Sequence, residues 1–332
     1  MIGIKGVAKK PITDATATSG DVIAGKTFYN KYGKQTGTLR VILEAYDYEK
    51  SDLIAFDSTI DQDHRTSASN MCVFDNKLYI FSSCDDGNYT QSMLIYDIKT
   101  KKWTIKYLGS GSSNQYFYPP CVVGKKIYMK KASASELYTF NVATLESTYL
   151  FSTGWIYSYA NMFGDFYWSF GTSGSVSSSS TSTLSKINSN GSQTVVQTNL
   201  PFGGASMMCE YHGKIHMCYC LDGYTNLKHY ALANGKLTQL SSMIQTNYGI
   251  KQTDLFVYED TMFLMGNLRY VYNESEDSWT QIIGTIVESG FYTGEFFQYN
   301  EKLYSICRKS GSYSYDDTCD IYEIYKRYNV RK

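Results

Sequence analysis

The amino-acid sequence predicts an all-β protein in which six four-stranded blades form a β-propeller. A short hairpin pattern of an apolar strand end, a tight polar turn and a second strand recurs six times. It stands at Phe74–Ile80, Val123–Met129, Phe163–Trp168, Tyr211–Met217, Tyr258–Leu264 and Tyr299–Ser305. One aromatic or histidine ring marks each repeat, at Tyr79, Tyr128, Tyr167, His216, Phe263 and Tyr304. These rings lie 39 to 49 residues apart, and propeller blades take about 40 to 50 residues.

A second pattern predicts the outer half of several blades. An aromatic residue and an Asp or Asn precede a tryptophan, which stands six positions after the polar residue. The complete pattern occurs at Tyr96-Asp97 with Trp103 and at Tyr272-Asn273 with Trp279, and Phe140-Asn141 and Ile187-Asn188 hold the same place without the tryptophan. We interpret it as a third strand, a turn and a fourth strand.

Together these residues resemble a degenerate Kelch repeat over residues 41–332, although Ser82-Ser83 stands where that family has a double glycine. The chain end predicts how the ring closes. Asp320–Tyr325 has the pattern of a third strand, and no clear fourth strand follows it. An N-terminal strand near Leu53–Phe56 is the candidate that completes this last blade, which would leave no long free edge.

Residues 1–40 do not follow the blade pattern. Between Asp14 and Thr38 the chain reads Ala-Thr-Ala-Thr, Gly-Lys-Thr, a hairpin at Gly-Lys and Thr-Gly-Thr. This order resembles a segment common in tail-fibre and baseplate-associated proteins of bacteriophages from Gram-positive hosts. The resemblance implies an attachment or oligomerisation segment, with a homotrimer as the favoured homo-oligomer. A disordered leader is the alternative.

Local chemistry supports an attachment segment that needs a neighbouring chain. Asp21 can cap a short helical turn, and residues 32–34 can turn a hairpin. The run from Gly25 to Thr27 is not a phosphate loop, because the upstream glycine spacing of that motif is missing. About 40 residues with few large apolar side chains hardly fold alone. The predicted attachment residues are Asp21, Gly25, Lys26, Thr27, Tyr32 and Gly33.

Composition argues against several kinds of partner. Lys and Arg number 31 and Asp and Glu number 31, so the basic excess typical of a nucleic-acid binder is missing. No run approaches the roughly 20 apolar residues of a membrane span, and residues 1–6 lack a secretory signal. We therefore expect synthesis and assembly in the host bacterial cytoplasm. The eight cysteines include no CxxC pair and are expected to be free thiols.

The 32 tyrosines are the outlier of the composition. Strand propensity explains most of them, but a flat ring with a polar tip also suits sugar contacts. In a four-stranded blade, the loops between strands two and three share a face with the loops between blades, and here both sets are aromatic and acidic. The predicted ligand-binding residues in these loops are Asp85, Asp86, Tyr89, Tyr116, Tyr118, Trp155, Tyr157, Tyr224, Tyr248, Tyr292, Tyr313 and Tyr315. Alternatively, rings such as Trp155, Phe202 and Phe291 fill the seams between blades.

The sequence predicts no catalytic residues, no metal site and no cofactor. His216 stands where most repeats have tyrosine, and we interpret it as a structural substitute. Three cysteines, Cys72, Cys121 and Cys209, each precede the ring position by seven residues, where a small side chain suits a crowded hub. Asp85-Asp86 and Asp316-Asp317 could form a carboxylate pair for glycoside cleavage or bind Ca²⁺, but solvated loop acids are the simpler interpretation.

These observations favour a non-catalytic receptor-binding protein in the tail fibre or tail tip of a virion. Its expected partners are bacterial surface polysaccharide and, through residues 1–40, other tail or baseplate proteins. Two alternatives remain open. A polysaccharide-degrading propeller enzyme would need a cleft with carboxylates about 5 to 10 Å apart. An intracellular Kelch-like scaffold for protein partners would leave residues 1–40 unexplained.

Overall fold

A computed structural model describes most of the chain in sixteen segments. These are residues 27–30, 33–36, 40–54, 71–83, 90–110, 120–130, 136–144, 146–171, 181–188, 191–201, 206–221, 226–244, 254–265, 269–281, 291–309 and 319–331. The chain divides into two compact units. One comprises Tyr48–Ile324, and the other comprises Met1–Asp47 with Tyr325–Lys332.

In these segments the regular elements are all β-strands, and they form a six-bladed β-propeller together with one short hairpin. The first three strands are β1 (Thr27–Asn30), β2 (Gly33–Thr36) and β3 (Arg40–Ser51). Blade 1 has β4 (Met71–Phe74), β5 (Lys77–Ser83), β6 (Thr90–Asp97) and β7 (Lys102–Ser110). Blade 2 has β8 (Cys121–Val123), β9 (Lys126–Lys130), β10 (Glu136–Asn141) and β11 (Glu146–Ser152).

The remaining blades repeat this plan. Blade 3 has β12 (Trp155–Met162), β13 (Asp165–Gly171), β14 (Ser182–Ile187) and β15 (Gln193–Leu200). Blade 4 has β16 (Ser206–Tyr211), β17 (Lys214–Leu221), β18 (Asn226–Ala233) and β19 (Lys236–Gln239), with β20 (Met243–Ile244) also paired to β18. Blade 5 has β21 (Asp254–Tyr258), β22 (Thr261–Met265), β23 (Arg269–Asn273) and β24 (Ser278–Gln281). Blade 6 has β25 (Phe291–Tyr299), β26 (Lys302–Lys309) and β27 (Cys319–Arg331).

An N-terminal strand completes blade 6, whose order is β25-β26-β27-β3. The expected position of this strand was wrong, because it ends at Ser51 and does not include Leu53–Phe56. The Ser51 hydroxyl accepts a hydrogen bond from the Leu53 N–H at 3.2 Å, a local turn of the kind that ends a strand. Ile54 then packs with Met71 and Leu78 of blade 1. Leu53 and Ile54 therefore pack in the core and do not belong to a sheet.

The turns between first and second strands explain the polar centre of the repeated pattern. In a two-residue type I′ turn both central residues have positive φ, which suits the twist of the flanking strands. Asp75 and Asn76 adopt φ of 47° and 58°, and Asn and Asp tolerate this region well. Phe163 adopts φ of 53° in the same position of blade 3, where a bulky side chain is strained. Its N–H donates to a Glu210 carboxylate oxygen at 2.6 Å.

The turns between third and fourth strands explain the second sequence pattern. The Asp97 side chain accepts hydrogen bonds from the N–H groups of Lys99 and Thr100 at 3.0 and 2.9 Å, as expected of an Asx turn. This turn sets a register in which Tyr96 lies opposite Trp103, with ring centroids 4.7 Å apart. The spacing of six positions between Asp97 and Trp103 therefore follows from the pairing of two aromatic rings on neighbouring strands.

The first strand of each blade is the innermost, since first strands of neighbouring blades lie against one another. Tyrosines at the ends of three first strands reach forward to the first turn of the next blade. These bonds join Tyr211 to the Asp260 carbonyl at 3.4 Å, Tyr258 to the Glu301 carbonyl at 2.9 Å and Tyr299 to the Asn76 side chain at 3.1 Å.

A second set of bonds joins neighbouring blades in the opposite direction. In two blades, the side-chain amide of the residue just before the last residue of the first strand donates to the first strand of the preceding blade. These bonds join Asn161 to the Val122 carbonyl at 3.0 Å and Gln298 to the Val257 carbonyl at 2.8 Å.

The repeat-marking rings fill the space between blades. The Tyr128 ring of blade 2 stacks on Phe166 of blade 3 with centroids 4.3 Å apart. Each of the three aligned cysteines is the direct cross-strand partner of its blade's ring, as Cys72 is of Tyr79. Cys72 and Cys209 are buried, and burial raises the pKa of the Cys121 thiol to about 12. The innermost strands therefore place these cysteines beside the ring positions, as the sequence predicted.

The N-terminal hairpin predicted from the sequence is present, but two of the residues predicted to turn it lie in a strand. β1 pairs with β2 so that Asn30 lies opposite Gly33 and Tyr29 opposite Lys34. Gly33 and Lys34 are therefore strand residues, and Thr27 begins β1. The other predicted attachment residues lie outside the described residues: Asp21, Gly25, Lys26 and Tyr32.

Replacing Phe163 by Asn is expected to stabilise the propeller by about 1 kcal/mol, because Asn tolerates the left-handed backbone that strains phenylalanine. Phe163 is 46% exposed, so the loss of its ring removes only part of the burial that a core phenylalanine would have. The free energy of unfolding from chemical denaturation checks this. Phe163→Ala serves as the control, since it removes the ring and keeps most of the strain. A lower free energy of unfolding for Phe163→Asn than for the natural chain would contradict the prediction.

Candidate functional site

The first strands all run in one direction, so their starting ends share one face of the propeller with the connections between second and third strands. We call this the loop face, and the opposite face, which carries the turns at residues 75–76 and 163–164 and their equivalents, the turn face. Nine predicted ligand-binding residues lie outside the described residues: Asp85, Asp86, Tyr89, Tyr116, Tyr118, Tyr224, Tyr248, Tyr313 and Tyr315. The structure places the other three, Trp155, Tyr157 and Tyr292, at the loop face.

These three residues belong to strands, which corrects the expectation that they lie in loops. Trp155 and Tyr157 are in β12, and Tyr292 is in β25. The connection before β12 is only Thr153-Gly154, so the aromatic run extends the strand, as aromatic residues favour. A strand fixes their backbone far better than a loop would.

Trp155 is solvent-facing. Its side chain is 44% exposed although it begins an innermost strand, so this ring does not simply fill a seam between blades. Gly154 precedes it at a place where a Cβ atom would lie 2.2 Å from the Gly171 carbonyl oxygen. Only glycine allows the backbone this close an approach. The contact holds the start of β12 against the end of β13.

A β-bulge lies directly after Trp155. Ile156 pairs with Phe170 and Ser158 pairs with Ser169, so Tyr157 is an extra residue on β12. A bulge disrupts the hydrogen-bond ladder locally and redirects neighbouring side chains. The Ile156 carbonyl at this point accepts a hydrogen bond from the Lys130 ammonium group at 2.7 Å.

Lys130 is an unusual residue for the interior. Only 3% of it is exposed, and burial lowers the pKa of its amine to about 8. The equivalent places, two residues after the ring position, hold Phe81, Ser169 and Cys218 in other blades. Sequence analysis missed Lys130. The signal that could have found it was a lysine at a repeat position that is uncharged in those other blades.

Blade 6 has a related irregularity at the same face. Thr293 pairs with Cys307 and Phe296 with Ser305, so β25 carries two residues where β26 carries one. Tyr292 lies just before this bulge. Blades 3 and 6 are opposite each other in a ring of six. The loop face therefore has a distorted innermost strand on each of two opposite sides, each with a predicted ligand-binding aromatic residue beside it.

The turn face has a separate cluster of charges at the junction of blades 4 and 5. The His212 ring lies 2.6 Å from a Glu274 oxygen and 2.9 Å from an Asp260 oxygen. Lys214 pairs with Glu274 at 2.6 Å. Hydrogen bonds to Glu274 and then Asp260 raise the pKa of His212. This arrangement joins the two blades through the imidazole of His212.

A buried histidine pair lies at the same junction. Nδ1 of His216 is 2.9 Å from Nε2 of His229, and both residues are essentially inaccessible. Burial lowers the pKa of His216 to about 4 and that of His229 to about 3. Both imidazoles are therefore neutral at pH 7, and the shared bond requires one to donate and the other to accept. His216 occupies the ring position of its blade, as a structural substitute should.

The described segments bring no three metal-binding side chains together into a group that could hold an ion. They also contain no helix with the length and apolarity needed to cross a membrane. The loop-face arrangement of Trp155, the bulge and Lys130 can present a fixed aromatic surface to a ligand. A flat ring of this kind binds the C–H face of a sugar or another apolar surface.

Comparisons with known proteins found similar solved structures and nothing else. No family model matches the chain, and no curated protein matches it. The β-propeller domain of the Trilobed protease from Pyrococcus furiosus is 15% identical, with 78% of this chain and 83% of that one covered and a TM-score of 0.46. The luciferin-regenerating enzyme is 10% identical, with 83% and 94% covered and a TM-score of 0.49.

A peptidase structure also matches. The Pyrococcus horikoshii acylaminoacyl peptidase is 12% identical, with 74% of this chain covered and a TM-score of 0.45. This chain spans only 43% of the length of that enzyme. Similarities this low carry no activity over to this protein.

The buried histidine pair predicts a loss of stability in acid. The folded pKa values of His216 and His229 lie below the ordinary value of 6.5, so protonation favours the unfolded chain. Their contribution is complete above about pH 6.5 and is lost as pH falls towards 4 and 3. Replacing both, as His216→Phe with His229→Leu, should flatten the decline of the unfolding midpoint between pH 6.5 and 4. An unchanged slope would contradict the assignment.

His212 predicts the opposite trend on the alkaline side. Its raised pKa means that its contribution is complete below about pH 6.5 and is lost as pH rises through the raised value. His212→Gln should therefore lose stability relative to the natural chain at pH 6 and match it more closely at pH 9. Denaturation midpoints at the two pH values check this, and an equal loss at both would contradict it.

Gly154→Ala is expected to displace the start of β12, because the new methyl group would meet the Gly171 carbonyl at 2.2 Å. We expect a loss of roughly 2 kcal/mol in the free energy of unfolding and a changed environment for Trp155. Denaturation and tryptophan fluorescence measure the two effects.

The control is Gly191→Ala, because Gly191 has a left-handed φ of 83° but a methyl group there would meet no atom within 4 Å. It measures the cost of losing a glycine without a close approach, and it should leave the fluorescence of Trp155 unchanged. Equal fluorescence changes in both variants would contradict the close-approach explanation.

Proposed function

We propose that this protein is a non-catalytic receptor-binding component of a bacteriophage tail tip, tail fibre or baseplate. In this proposal the loop face of the propeller binds bacterial surface polysaccharide. Residues 1–40 attach the protein to other virion proteins, and homotrimers are the favoured assembly. The protein is made in the host cytoplasm and functions on the virion.

The exposed Trp155 carries the proposal. Exposing a large aromatic ring on an innermost strand loses burial that would stabilise the fold by roughly 1.5–3 kcal/mol. The structure nevertheless fixes this ring at the surface, between a glycine contact and a bulge. Aromatic rings held rigidly at low entropic cost are effective anchors for ligands. The segments between second and third strands also contain Asp, Asn and Tyr residues in the sequence, and such side chains suit sugar hydroxyls.

The N-terminal segment supports the virion location. Its resemblance to segments of tail-fibre and baseplate-associated proteins covers about 25 residues. The β1–β2 hairpin lies in this stretch. A two-stranded hairpin is marginally stable by itself, so this segment suits a role in which a neighbouring chain completes it.

The test is binding of the purified protein to cell-wall polysaccharide from a host strain. We expect the natural chain to bind without releasing new reducing ends, and Trp155→Ala to weaken binding at least tenfold because the stacking surface is lost. Trp155→Phe should keep part of the affinity. Isothermal titration calorimetry and a reducing-end assay provide the two measurements.

Tyr149→Ala is the matched control, because Tyr149 is also an exposed ring, 51% accessible, but lies on the outer strand β11. It should bind as the natural chain does. New reducing ends would favour the depolymerase alternative. Equal losses from Trp155→Ala and Tyr149→Ala, or no binding by the natural chain, would contradict the proposal.

A further inference from the structure

We infer that Lys130 is a positioning residue for the loop face, which holds the bulged backbone of β12 so that Trp155 stays in its binding orientation. This inference rests on the proposed function of Trp155. It assigns a specific role to a buried residue on a different blade, β9 of blade 2, which contacts no ligand itself.

The geometry connects Lys130 to Trp155 through one peptide unit. Trp155 pairs with Gly171 and Ile156 with Phe170, and the bulge at Tyr157 follows at once. The regular ladder is therefore interrupted one residue after the pair that fixes the tryptophan. The Lys130 ammonium group donates to the Ile156 carbonyl at 2.7 Å, so a bond from the neighbouring blade holds the backbone at this interruption.

Several of the described side chains around Lys130 are apolar. Leu137 lies opposite it on β10, and Ile156, Phe166 and Trp168 belong to the same buried cluster as Leu137. Titratable residues on the strands around it include Cys121 of β8, Tyr128 of β9, and Tyr157 and Tyr159 of β12. Glu136 and Tyr138 of β10 also belong to this set and hydrogen-bond each other at 2.6 Å. A lysine ammonium group is costly in such a place.

The free-energy cost of burying the Lys130 ammonium group distinguishes a positioning role from a packing role. Replacing a buried charge by a well-packed apolar side chain is often neutral or stabilising for a protein. If Lys130 only filled space, methionine would serve the fold at least as well. Lys130 lowers the stability of the fold but fixes a bulge beside an exposed ring. Such a loss of stability is common where a protein holds a binding site in a defined geometry.

The experiment compares Lys130→Met with the natural chain, using protein labelled with 5-fluorotryptophan. The Trp155 fluorine resonance is assigned with Trp155→Phe. Without any polysaccharide, we expect Lys130→Met to keep its melting temperature within a few degrees and to shift or broaden the Trp155 resonance. With host cell-wall polysaccharide, we expect affinity to fall about tenfold. Lys126→Met, at an exposed lysine of the same strand, should change neither reading.

A pH titration of the natural chain gives an independent reading. The Trp155 resonance should move with a midpoint near pH 8, where the Lys130 amine loses its charge and its bond weakens. This reading decides the inference if Lys130→Met does not fold. A resonance that neither shifts in Lys130→Met nor titrates near pH 8 would overturn it. If the natural chain binds no polysaccharide but the resonance responds as expected, the proposed function fails and the positioning role of Lys130 stands.

Discussion

A ring of six sheets holds together only if each innermost strand is fastened to both of its neighbours, and these seams determine most of the structure. Tyrosines at strand ends donate to the first turn of the next blade, as Tyr258 does to Glu301. Amides such as Gln298 bond back to the preceding strand. Stacked rings such as Tyr128 and Phe166 fill the space between neighbouring blades. Closure by β3 gives the last blade its fourth strand.

The seams also explain where the fold departs from regularity. At the blade 4–5 seam, His212 bridges two acids on the turn face, and the buried pair of His216 and His229 lies at the same seam. At the blade 2–3 seam, a buried lysine bonds the backbone of the neighbouring blade where that backbone bulges. The contacts at the blade 4–5 seam hold two blades of the propeller together. Those at the blade 2–3 seam lie directly beside the exposed ring that we propose binds a ligand.

The sequence predicted the six blades because their repeated turns and ring pairs depend on local chemistry. Asp97 sets an Asx turn and thereby the Tyr96–Trp103 register, and both can be read from spacing. The closing strand was misplaced because apolar Leu53 and Ile54 look the same in a strand and in a core. Trp155 was predicted as a ligand-binding residue, and that role stays a prediction. Its place in a strand and the bond from Lys130 depend on contacts between strands and blades, which no local pattern contains. The Kelch-like resemblance and the phage assignment stay predictions.

A crystal structure of the protein with an oligosaccharide from host cell wall would test the central claim most directly. We expect a sugar ring stacked on Trp155 at the loop face, with the Lys130–Ile156 bond intact beneath it. Sugar bound at the turn face, or Trp155 turned into the blade 2–3 seam with no sugar against it, would contradict that claim.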